Sequence, residues 1–94
     1  MKTIKKLNEM PYAQAHVEIL HDGTIVLVSY KTRVAQILPN GWLTVYGLYS
    51  MTTRRHISAF MSEYGNGCDY ATAKMIYTNN MSLNIYTGEV VDWE

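Results

Sequence analysis

Residues 47–65 read GLYSMTTRRHISAFMSEYG, and the hydrophobic period changes part-way through them. Up to Tyr49 the apolar residues continue a strand. From Ile57 they fall at Ile57, Phe60, Met61 and Tyr64, the spacing of one face of an amphipathic helix. Between the two runs, Ser50, Thr52 and Thr53 supply hydroxyls suited to capping a helix N-terminus. The spacing predicts a helix over residues 52–64, with Gly65 as the left-handed residue that ends it. A sheet therefore hands over to a helix here, and the core must form between them.

Working back toward the N-terminus, residues 42–49 (WLTVYGLY) read as a strand, with Gly47 as a bulge or a point of close approach. Pro39-Asn40-Gly41 is a turn. Residues 24–38 (TIVLVSYKTRVAQIL) are rich in β-branched residues and read as one long strand, with Ile25 and Leu27 on one face and Val26 and Val28 on the other. His21-Asp22-Gly23 is a hairpin turn, and residues 12–20 form the strand before it. Residues 1–11 read as a lead-in closed by Pro11. Toward the C-terminus, Gly65-Asn66-Gly67 is a loop, Asp69 caps a second helix over residues 70–78, and Asn79-Asn80 ends it. A short strand at 83–86, a turn at Thr87-Gly88 and a last strand at Val90-Val91 follow. The expectation is one α+β domain over residues 1–94, a three- to four-stranded antiparallel sheet with two helices packed on one face. Ile57 and Phe60 are expected to pack against Val26, Val28 and Val45.

The composition bounds the function. Eight Lys and Arg balance eight Asp and Glu, whereas a general nucleic-acid binder carries a basic excess. The balance is uneven along the chain: Lys2, Lys5 and Lys6 lie at the basic N-terminus, and Glu89, Asp92 and Glu94 at the acidic C-terminus. Eight Tyr stand against one Phe, a choice that suits surfaces both apolar and wet, interfaces among them. One cysteine, Cys68, permits no internal disulfide and no cysteine-based zinc site, which fits a cytoplasmic setting. No signal peptide and no membrane span is expected.

Few residues suggest chemistry. His16, His21 and His56 have no metal-ligand spacing, so no metal and no cofactor is expected. Cys68 at a helix start is a nucleophile only if His56 comes beside it, and the chain is expected not to be an enzyme. The local departure from rule is Arg54-Arg55-His56, cations near a helix N-terminus whose dipole favours anions. With Thr53, Tyr49 and the strand cations Lys31 and Arg33, they form a candidate partner-binding surface for phosphate, carboxylate or an acidic protein patch.

Two segments, Ser29-Tyr30-Lys31-Thr32-Arg33-Val34 and YSMTTRRHISAF at 49–60, followed by Tyr86-Thr87-Gly88-Glu89-Val90, resemble a group of small phage and prophage proteins. The resemblance implies a binding protein that disables a host protein, as anti-CRISPR inhibitors disable a defence nuclease. It carries over no catalytic residue. The leading expectation is thus a non-enzymatic inhibitor of a host protein, with a homodimer left open. The alternative is a nucleic-acid-binding regulator using Lys31, Arg33, Arg54 and Arg55.

Overall fold

The computed structural model describes residues 2–92; Trp93 and Glu94 of the acidic tail lie outside them. Seven strands run in chain order across one antiparallel sheet, neighbour beside neighbour. They are β1 (Thr3–Lys5), β2 (Ala15–Ile19), β3 (Ile25–Ser29), β4 (Thr32–Ile37), β5 (Trp42–Val45), β6 (Met81–Asn84) and β7 (Val90–Asp92). Helices α1 (Met51–Tyr64) and α2 (Tyr70–Thr78) lie between β5 and β6 in the chain and cover one face. The α+β class therefore holds, and the sheet is wider than the three or four strands expected.

The extra strands have distinct origins. The stretch 24–38 is a hairpin rather than one strand: Ser29 pairs with Thr32, leaving Tyr30 and Lys31 as its turn. Tyr30 takes a positive φ of 58° there, a conformation that hairpin turns usually reserve for Gly or Asn. Two contacts hold it: the Tyr30 N–H donates to the Gln14 carbonyl at 2.6 Å, and its ring lies 5.9 Å from that of His56. β1 forms inside the supposed lead-in because Ile4 pairs with Glu18 along the free edge of β2. All three of its residues are exposed, so no burial pattern marks it.

The turns at Asp22-Gly23 and Asn40-Gly41 form as read. Gly41 has φ +100°, and a Cβ there would lie 2.5 Å from the Tyr86 ring. Gly65 differs from expectation. Its φ is −77°, and Asn66 and Gly67 supply the left-handed residues instead. Glycine is needed at 65 for space, since a Cβ would sit 2.5 Å from the Met61 carbonyl oxygen.

Ser50 caps α1 by accepting from the Thr53 N–H, and Asp69 caps α2 by accepting from the Thr72 N–H. Ile57 and Phe60 are fully buried in the core cluster that holds Leu27 and Val45, whereas Val26 and Val28, expected beside them, lie outside that cluster. β3 turns its Leu27 and Ser29 face to the helices. Val26 and Val28 lie on the opposite face, where their cross-strand neighbours are Glu18 and His16. There Glu18 accepts from Lys2 Nζ at 3.2 Å and meets His16 Nε2 at 3.0 Å. The bond from His16, with smaller help from Lys2, holds the Glu18 carboxyl below its ordinary range despite burial.

A candidate basic cleft beside a buried polar knot

The structure divides the predicted surface in two. Thr53 and His56 turn inward, buried under the first turns of α1. Ser29, at the end of β3, receives both: its Oγ lies 3.1 Å from Thr53 Oγ1 and 2.8 Å from His56 Nδ1. Ser50 Oγ extends the chain by donating to Thr53 Oγ1 at 3.3 Å. This knot fastens the start of α1 to the β3–β4 turn. Burial in the knot pushes the His56 imidazole below its ordinary pKa, and its Nε2 is buried with no partner. The 2.8 Å spacing is one a serine nucleophile and its base use. Here Ser29 and His56 are 2% and 1% exposed, so no substrate carbonyl reaches the hydroxyl, and no carboxylate bonds the imidazole.

Arg54 and Arg55 face away from the sheet. With Met51 and Ser58 of α1 and Tyr70 and Lys74 of α2, they line a cleft of about 270 Å³ between the two helices. The arginines of α1 thus face Lys74 of α2 across the cleft. Arg54, Arg55 and Lys74 are exposed, and none has a carboxylate within ion-pair distance among the described residues. No acidic side chain lines the cleft. Like charges gathered without counter-charge raise the local potential over this shallow, open surface.

Lys31 and Arg33 belong to the β3–β4 hairpin. Partial burial pushes the Tyr46 phenol pKa up, and Arg33 is near enough to oppose that push in part. Tyr49 is 66% exposed, and its ring crosses Gly47, where a Cβ would lie 2.4 Å from it. Tyr30, Lys31 and Arg33 thus sit together on the β3–β4 hairpin, which contributes no residue to the cleft. Sequence reasoning missed Met51, Tyr70 and Lys74. The signal available was the i, i+4 spacing of Tyr70 and Lys74, which puts them on one stripe of α2.

Cys68 lies beyond the C-terminal end of α1 and lines an adjoining cleft with Met61, Ser62 and Asp69, which shares Ser58 and Tyr70 with the basic one. His56 lies about two turns, roughly 12 Å of helical rise, before the end of that helix, and its ring is turned into the knot with Ser29. The pair does not form a nucleophile and base. Among the described residues no cluster of three His, Cys, Asp or Glu could hold a metal ion, and no helix is long and apolar enough to cross a membrane.

Residues 2–79 match a family of unknown function, DUF8033. The chain belongs to that family. No curated protein and no solved structure matches it significantly. The family match runs from β1 through α2, so it takes in the knot and both walls of the basic cleft.

Proposed function

We propose that this member of DUF8033 is a small non-enzymatic binding protein that docks an acidic surface of a host protein into the cleft of Arg54, Arg55 and Lys74, and inhibits it. The observation that carries the reading is the uncompensated charge: three exposed cations in one cleft, with no acidic lining residue and no ion pair among the described residues. An isolated surface arginine finds a carboxylate or solvent at little cost. Three held between two helices instead favour a partner that brings carboxylates, with arginine offering the bidentate geometry. Met51, 67% exposed at the cleft mouth, adds an adaptable apolar contact. The resemblance to phage and prophage proteins supplies the partner's class, a host enzyme such as a defence nuclease.

The test is the Arg54→Glu, Arg55→Glu double variant, assayed by pull-down from bacterial lysate and by thermal melting. Binding should weaken by about 2–5 kcal/mol, because charge-matched contacts become like-charge clashes, while melting changes by less than about 1 kcal/mol. Full binding with normal melting would remove the cleft from the hypothesis.

A second reading, a nucleic-acid-binding regulator, is favoured by the β3–β4 hairpin, where exposed Tyr30 accompanies Lys31 and Arg33. Aromatic rings beside cations suit stacked bases. Phosphate binding would fall steeply with salt, and Lys31→Glu with Arg33→Glu would abolish it while sparing protein capture.

A further inference from the structure

The uneven charge of the two termini acquires a position in the fold. Among the described residues, β1 and β7 are the opposite edges of the sheet, and each has one neighbour. Every residue of both is exposed, so each edge offers unpaired backbone groups to another strand. The β1 edge carries Lys5, with Lys6 just after it; the β7 edge carries Asp92, with Glu89 just before it.

The register across the sheet makes the edges match. With seven antiparallel strands, β1 and β7 run in the same direction. Ile4 pairs with Glu18, Glu18 with Val26, and Val26 with Gln36, which pairs with Thr44. Thr44 bonds Ser82, and Ser82 pairs with Val91. Ile4 and Val91 therefore end one transverse row on the same face. The row that begins at Lys5 runs through Val17, Leu27, Ala35 and Val45. Continuing the β5–β6 register carries it to Met81, and so to Asp92.

We propose that a second copy of this chain adds to the sheet edge to edge, β1 of one copy beside β7 of the next in parallel. A copy set alongside at the same height brings Ile4 against Val91 and Lys5 against Asp92. Ile4 is 61% exposed and Val91 43%, so both gain from being covered. The two symmetric alternatives are disfavoured by charge: β1 on β1 brings lysines together, and β7 on β7 brings carboxylates together. The contact is heterologous, so it does not stop at a dimer unless the sheet twist closes a ring. Each edge strand is three residues long, which places the association in the weak, small-area class. These edges are separate from the basic cleft, so the proposal stands or falls independently of the partner reading.

Sedimentation equilibrium on the full chain up to millimolar concentration tests it. The average mass should rise with concentration, and less so in high salt. Lys5→Glu alone and Asp92→Lys alone should each remain monomeric with unchanged melting. The Lys5→Glu, Asp92→Lys double variant should associate again, as should an equimolar mixture of the two single variants. In a Cys68→Ser background, oxidation of mixed Ile4→Cys and Val91→Cys proteins should link one variant to the other. A monomer at every concentration, single variants that associate like the parent, a double variant that stays monomeric, or disulfides formed only within each variant would each overturn the proposal.

Discussion

Replacing Ser29 with Ala removes one oxygen from the centre of the knot, and the effect can be sized from the geometry. The hydroxyl makes two buried contacts, at 3.1 Å to Thr53 Oγ1 and 2.8 Å to His56 Nδ1. A buried neutral hydrogen bond contributes about 0.5–1.5 kcal/mol net. The larger effect is on what remains. His56 Nε2 is already unpartnered, so the variant leaves an imidazole that is 1% exposed with neither nitrogen satisfied. Stranding one such polar group costs about 1–3 kcal/mol. Thr53 is less affected, since Ser50 Oγ still reaches its hydroxyl. The sum is a destabilisation of about 2–4 kcal/mol. For a domain of this size that lowers Tm by roughly 8–32 °C, at about 4–8 °C per kcal/mol. Urea and thermal denaturation followed by circular dichroism measure it, with Ser58→Ala, an exposed position on the same helix, as the control expected to stay within about 0.5 kcal/mol. A Ser29→Ala protein as stable as its parent would mean that the knot does not anchor α1.

Four further outcomes are expected. Because the folded His56 has a lowered pKa, the unfolded chain binds more protons below about pH 6.5, and stability should fall as pH drops from there toward the folded value; His56→Gln should remove this part of the decline. Glu18, also held below its usual value of 4.5, stabilises the fold above that pH and loses the contribution as pH falls further, which Glu18→Gln would reveal in the same titration. Phe60→Ala should cost about 3–5 kcal/mol in urea denaturation, since the ring is wholly buried beneath the sheet. Gly41→Ala should destabilise by more than about 1 kcal/mol, because the turn needs positive φ and the Tyr86 ring fills the space; an unchanged melting temperature would show that the Tyr86 ring moves aside freely.

Local chemistry announced the elements it controls. Ser50 and Asp69 mark the helix starts because an unpaired N–H needs an acceptor, and both accept one in the structure. The turn at Tyr30 was illegible because its left-handed conformation comes from tertiary contacts with Gln14 and His56, and no Gly or Asn marks the place. The face of β3 was ambiguous for a related reason. Ile25 to Val28 is apolar on both sides, and the polar Ser29 decides the orientation by meeting Thr53 and His56 under α1. At the site, the arginines stood out by breaking a local rule, while Lys74 and Tyr70 did not, because only the packing of α2 on α1 brings them to the same cleft. His56 and Thr53, adjacent in sequence to the arginines, are structural in position because a helix turns each successive side chain by about 100°.

The sheet's order has a consequence for how the chain folds. Each of β2 to β5 pairs with the strand immediately before it, so its partner has already left the ribosome when it appears, and every such closure is short. One junction is different. About 35 residues, carrying both helices, separate β5 from β6, a longer loop that must close before the last hairpin can join. Until then β5 is a temporary edge, and the apolar undersides of α1 and α2 lack their Leu83 and Ile85 cover. The step that completes the domain is therefore the docking of its C-terminal hairpin, and in refolding experiments the Trp42–Asn84 pairing should be the last of the cross-strand contacts to gain protection from hydrogen exchange.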